Sequence, residues 1–152
     1  MIEAVTAIGP VWRAVFAGAD PLAPVGNPEG RFHHAGQWAI YTSLTPEGCA
    51  VAIRRYLRAG DPPRVVVPLD LRPLRLADGR GRVELSAVWQ DIRAGGAPAP
   101  TWAFPDAARA EGAEGMLYSS RSRPDLTHLV LFSPAVLAGA GAPQPFPEAP
   151  PR

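Results

Sequence analysis

At 152 residues the chain has the length of one domain, able to bury roughly two-thirds of the surface that it exposes unfolded. Its 15 basic and 14 acidic residues leave a net charge of +1, which argues against nucleic-acid binding through a broadly basic surface. A signal peptide and an apolar run of membrane-spanning length are both lacking, so the expectation is a soluble cytoplasmic protein without membrane contact. Every basic residue is arginine. The 15 glycines and 19 prolines sit mostly at element edges, which describes a loop-rich globular domain and not a disordered one. The lone Cys49 cannot form an internal disulfide. It falls on the apolar side of a predicted helix, where a buried inert thiol is expected.

In chain order, Trp12 to Phe16 alternates as a strand and carries Arg13, which is open to two readings, ligand or structural group. Ala17 to Glu29 is a Pro/Gly/Asp loop, read as an ordinary surface connection in preference to a loop closing over a pocket. A glycine-flanked segment, Gly30-Arg31-Phe32-His33-His34-Ala35-Gly36, leads into a strand over Gln37 to Ser43. Thr45-Pro46-Glu47 is a helix start, with a hydroxyl cap, a proline at the first position and an acid at the positive end of the dipole. Cys49, Ala52, Ile53, Tyr56 and Leu57 then recur at helical spacing as one apolar face. His33 and His34 are adjacent and His128 is remote, so no metal-ligand spacing is present and no metal site is expected.

Val65 to Leu71 reads as a strand buried on both faces, closed by Arg72-Pro73. Val83 to Arg93 is expected to be a short helix with Val83, Ala87, Val88 and Ile92 on one side. Trp102 to Ala113 is expected to hold another, beginning near Pro105 and ending at Gly112. Met116 to Tyr118 is a strand, Ser119 to Asp125 a polar loop, and His128 to Phe132 a further strand. Pro134 to Leu137 is a turn. The Pro/Gly/Ala-rich segment 139–152 is expected to fray or to dock only on a partner. The class is α+β, a single domain with a curved or split mixed sheet and short helices, divided as 1–138 and a tail at 139–152.

Two blocks carry a family resemblance. GRFHHAGQWAIYTSLTPEG from Gly30 and GMLYSSRSRPDLTHLVLF from Gly115 resemble the two signatures of the RES domain, with Val65 to Leu71 in the place of its central strand. The resemblance spans about Trp12 to Phe132. It implies an ADP-ribosyltransferase-like fold acting on NAD as substrate, without a metal. It further implies the toxin half of a bacterial toxin–antitoxin pair, partnered by an Xre-like helical antitoxin. That toxin would cleave the nicotinamide–ribose bond and pass ADP-ribose to water, phosphate or a target protein, and nothing in the sequence chooses the acceptor. A non-catalytic NAD- or nucleotide-binding module is the alternative.

The site residues follow from the same blocks. Arg31 and Tyr41 are implied in catalysis and binding, Ser120 in catalysis, and Arg13, Ser43 and Arg121 in holding NAD. The residue types suit the task. An arginine fork matches phosphate oxygens, a tyrosine offers a flat face for nicotinamide and a hydroxyl, and a serine can bond ribose or carboxamide. By themselves Thr42 and Ser43 read as turn and cap residues. Phe32, Arg121 and Arg123 are expected to form an exposed rim that an antitoxin would cover.

Two departures from the resemblance stand out. Ala52 occupies the helix position of the family's glutamate, the carboxylate expected to support developing ribose charge. The sequence leaves open a subfamily that works without it, a binding-only protein, or an inactivating substitution. Glu47 is more than one turn away and is not expected to stand in. His128 occupies the place where the family usually has asparagine.

Overall fold

The structure, a computed structural model, describes residues 2–147. Among them nine strands form one sheet: β1 Ile2–Thr6, β2 Val11–Phe16, β3 Ile40–Ser43, β4 Arg64–Leu71, β5 Leu74–Asp78, β6 Gly115–Ser119, β7 Thr127–Leu131, β8 Leu137–Ala140 and β9 Gln144–Pro145. Their order is β1-β5-β6-β7-β3-β2-β4-β8, with β9 also on β4. The sheet is mixed, because β5 and β6 run parallel, and it is curled. Three short helices, α1 Pro46–Ile53, α2 Trp89–Ala94 and α3 Ala103–Ala110, complete an α+β domain. No helix of the described residues is long and apolar enough to cross a membrane.

Strand alternation sorts the core into two layers, one on each face of the sheet. Leu76, Leu117, Leu129 and Leu131 join Ile40, Val67 and Leu69 in one cluster. Their chain neighbours Ala77, Met116, Tyr118 and Val130 join Phe32, Ala39 and Leu85 in the other. The second layer is the one that borders the functional cavity. Burying a Leu, Ile or Phe side chain is worth about 1.5–3 kcal/mol, so truncating Leu129, which has no exposed surface, should cost about 2–5 kcal/mol.

Several expectations change. The strand expected from Gln37 begins at Ile40, because Gln37 and Trp38 remain in the connecting loop, where the Gln37 side chain accepts from the His34 amide and donates to Asp106. Helix α1 starts as expected, with the Thr45 hydroxyl accepting from the Gly48 amide at 3.0 Å. Its buried arc is Gly48 to Val51, however, and not the 49/52/53/56/57 face. The helix tightens into a 3₁₀ turn at Arg54–Tyr56, which leaves Tyr56 and Leu57 exposed.

The helix expected over Val83 to Arg93 is broken. A 3₁₀ turn at Val83–Ser86 is followed by extended backbone at Ala87 and Val88, and then by α2. Val83, Val88 and Ile92 are exposed instead of forming a buried face. The segment expected to fray is paired, since β8 and β9 both lie antiparallel to β4. Residues 148–152 of that segment lie outside the described residues.

Candidate functional site

A cavity of about 660 Å³ opens beside the second core layer. The loop before β3 gives it one wall through Val25, Asn27, Glu29 and Gly30. The Ala17–Glu29 segment is therefore part of the site and not only a surface connection. Its fastening explains where Arg13 goes. The Arg13 guanidinium donates to the carbonyls of Pro21, at 2.7 Å, and Ala23, so it holds the loop from behind. Arg13 does not line the cavity.

Arg31 does line it. Its Nε and Nη2 both donate to the carbonyl oxygen of Leu85, and its guanidinium lies 4.8 Å from the Phe32 ring centre and 5.2 Å from that of Tyr118. Burial lowers the Arg31 pKa, with the nearby Tyr118 opposing. Nη1 makes no hydrogen bond among the described residues. The loop bearing Arg31 is held by three consecutive carbonyls. That of Gly30 accepts from the Trp102 indole at 2.9 Å, that of Arg31 from the Thr101 hydroxyl, and that of Phe32 from Arg109 at 2.9 Å. Each bond is worth about 1 kcal/mol net, and together they fix the loop. This anchoring by α3 and the two residues before it was not visible in the sequence.

Tyr41 reaches the cavity with its ring, but its hydroxyl is occupied. It accepts from the Phe32 amide at 2.9 Å and lies 2.8 Å from His33 Nδ1. His33 Nε2 lies 3.0 Å from the Asn27 carbonyl, which can only accept. The Nε2 therefore bears the proton, Nδ1 accepts from Tyr41, and the tyrosine proton points away from any ligand. Burial raises the Tyr41 pKa strongly. The hydroxyl expected to bond a ligand is thus a structural tie. Gly30 permits it, because a Cβ there would lie 2.4 Å from His33 Cε1 and 2.9 Å from the Tyr41 hydroxyl.

The opposite wall comes from β6, β7 and the loop between them. Strand register places Ser43, His128 and Tyr118 in one row, since Ser43 pairs with His128 and His128 with Tyr118. His128 and Tyr118 line the cavity, whereas Ser43 lies behind them and bonds His128 Nδ1 at 2.6 Å. Burial, aided by the Arg31 cation, pulls the His128 pKa down to about 4, and burial pushes Tyr118 up to about 12. The Ser120 hydroxyl accepts from the Arg123 amide at 3.2 Å and closes the 120–126 loop, so its proton is what it can offer a ligand. Arg121 lines the same wall and has no hydrogen bond or ion pair among the described residues.

Helix α1 and the turn after it contribute Ala52, Ile53, Arg55 and Tyr56, and α2 contributes Trp89 and Gln90. Ala52 thus faces the cavity, as its helix position implied. Of the seven residues singled out, Arg31, Tyr41, Ala52, Ser120 and Arg121 come together, and Arg13 and Ser43 support them from outside. Sequence reasoning did not assign Arg55, Tyr56, Trp89 or Tyr118 to the site. Tyr118 sits inside the second signature, the one signal that could have found it.

The charge balance of the cavity is one-sided. Arg31, Arg55 and Arg121 line it, and Glu29 is its one acid among the described residues. Both carboxylate oxygens of Glu29 bond Arg93, at 2.9 Å each, and that bond holds the Glu29 pKa down. Glu47 lies elsewhere, 3.2 Å from Arg123. The expected rim also shifts. Phe32 is fully buried, and the exposed large apolar residue that lines the cavity is Tyr56. Such a cavity suits a flat, anionic ligand, with rings for aromatic faces and guanidinium donors for phosphate.

The family model of the RES domain matches residues 10–148. No curated protein matches the chain. Among solved structures, a chain of the M. tuberculosis MbcT–MbcA toxin–antitoxin complex is similar, with a TM-score of 0.64 at 18% identity, over 93% of this chain and 86% of that one. At that identity the likeness concerns the fold.

Proposed function

The chain belongs to the RES domain family, and on that premise we propose that it is the toxin of a toxin–antitoxin pair, binding NAD in the cavity and cleaving the nicotinamide–ribose bond. The observation that carries this reading is a cavity lined by Arg31, Arg55 and Arg121, with aromatic faces from Tyr41, Tyr118 and Trp89 and its one acid neutralised by Arg93. A dinucleotide presents a diphosphate for the first set and two flat rings for the second. The likeness in fold to a toxin from a toxin–antitoxin complex supports the biological role, and an Xre-like helical antitoxin is the proposed partner. ADP-ribose passes to water, phosphate or a target protein.

Ala52 favours a second reading, a binding module with little turnover. It puts a methyl group where the resemblance implies a carboxylate, and no other acid of the described residues faces the cavity unpaired. Purified protein incubated with NAD, with nicotinamide release and NAD affinity both measured, separates the two. Release supports the enzyme, binding without release supports the module, and neither removes NAD as the ligand.

A further inference from the structure

Ser43 lies behind the cavity wall and His128 stands in it, and the resemblance leaves open what the two do for each other. Ser43 is 2% and His128 3% exposed, and Ser43 Oγ lies 2.6 Å from His128 Nδ1. That is the distance of a strong hydrogen bond, and only one of the two atoms can be its donor. The surroundings decide which. Cys49 packs beside Ser43, and its thiol donates to the Trp12 carbonyl at 3.1 Å. Burial pushes that thiol up to about 12, so it keeps its proton and its sulfur is a weak acceptor. The best acceptor within reach of the Ser43 proton is therefore the Nδ1 lone pair.

The other ring nitrogen has a different setting. His128 Nε2 makes no hydrogen bond among the described residues, yet no buried side-chain nitrogen or oxygen among them lacks a partner. Nε2 is therefore the atom by which this otherwise enclosed ring reaches the open cavity. Gly48 preserves the arrangement, since a Cβ there would lie 2.8 Å from Ser43 Cβ and 3.1 Å from its Oγ.

We propose that Ser43 is a positioning residue that holds His128 as the Nε2–H tautomer, so that the imidazole donates a hydrogen bond to an oxygen of the ligand in the cavity. The inference rests on the NAD reading for the identity of that ligand. A ring nitrogen fixed as a donor selects oxygen acceptors of a carboxamide, a ribose or a phosphate and disfavours a ligand that presents a donor there. Because the ring is neutral above the low pKa that its burial imposes, this donor stays constant across ordinary pH, whereas a titrating histidine would change its charge.

The test is long-range proton–nitrogen correlation of the histidine side chains in ¹⁵N-labelled protein. Wild type should show His128 as Nε2–H, Ser43→Ala should populate Nδ1–H, and Ser43→Thr should restore the wild-type pattern. Adding NAD should shift the Nε2–H resonance, and Ser43→Ala should lose about three- to tenfold in NAD affinity. An Nδ1–H tautomer in wild type overturns the proposal with no variant needed. So does an unaltered tautomer in folded Ser43→Ala, or an Nε2–H resonance unmoved by bound NAD. If wild type binds no NAD, the functional reading fails, while a serine-dependent Nε2–H tautomer still upholds the positioning role.

Discussion

Arg31, which lines the cavity, grips the carbonyl oxygen of Leu85 with two of its nitrogens, Nε at 2.8 Å and Nη2, and leaves Nη1 without a hydrogen bond among the described residues. The grip crosses 54 residues and fixes the fork before any ligand arrives. Replacing Arg31 with alanine should weaken NAD binding by about 1.5–3 kcal/mol, the worth of one charged hydrogen-bonding group. Lysine should restore little, because an ammonium cannot straddle one carbonyl as the planar fork does. Calorimetry on folded variants checks this. Unchanged affinity in Arg31→Ala would remove the residue from the site.

Tyr41→Phe separates ring from hydroxyl. The ring facing the cavity is retained, while the Phe32 amide and His33 Nδ1 lose their partner. Stability should fall by about 1–3 kcal/mol, with NAD affinity changed less than in Arg31→Ala. Denaturant titration beside calorimetry reads both. A variant as stable as wild type would mean that the hydroxyl is not the tie described.

Ala52→Glu places a carboxylate at the cavity wall, one helical turn before Arg55. Stabilising a developing charge is worth about 2.7–4 kcal/mol per well-placed group, so nicotinamide release should rise on the order of a hundredfold. The thermal midpoint is measured alongside, since a carboxylate lacking water or a partner would destabilise the fold. A folded, NAD-binding variant that cleaves no faster than wild type would assign the missing charge to another position.

His128 makes stability depend on pH in a defined window. Its folded pKa, about 4, lies below the unfolded value near 6.5, so the unfolded chain binds the extra proton first. The contribution is fully present above about 6.5 and is lost as pH falls toward 4, with a slope of about 1.4 kcal/mol per pH unit. Denaturation of wild type and His128→Gln between pH 7 and 4 should show the difference in slope. Parallel curves would count against a buried neutral imidazole.

An antitoxin that silences the protein by excluding substrate should cover Tyr56, an exposed apolar residue that lines the cavity, and the exposed Val88 next in sequence to the lining Trp89. Hydrogen exchange on complex formation should protect the 53–57 and 86–92 segments. Protection restricted to β8 and β9 would place the partner on the far edge and argue against occlusion.

Where local chemistry dictates structure, the sequence was readable. The Thr45-Pro46 start of α1 and the alternation of Met116 to Tyr118 both appear where expected. Strands β1, β5 and β8 escaped, because Leu137-Ala138-Gly139-Ala140 and Leu74-Arg75-Leu76-Ala77 become strands through pairing with distant segments. The same holds at the site. Arg31 and Tyr41 stand in a motif, but nothing local announces that Thr101, Trp102 and Arg109 anchor the Arg31 loop across 70 residues or more. Arg13 was ambiguous because an arginine in a strand looks the same whether it holds a ligand or a loop.

The position of β7 in the sheet has a consequence for how the protein comes into being. β7 is the strip that joins β1-β5-β6 to β3-β2-β4, although it is among the last strands to be synthesised. Until Thr127 to Leu131 emerges, the wall bearing Tyr118 and the wall bearing Tyr41 belong to two unconnected sheets. At about 5–20 residues per second, the ribosome needs several seconds to travel from the first wall to the strip that closes the sheet. The two walls of the cavity thus come together only near the end of synthesis, and any activity that needs both must wait for that strip.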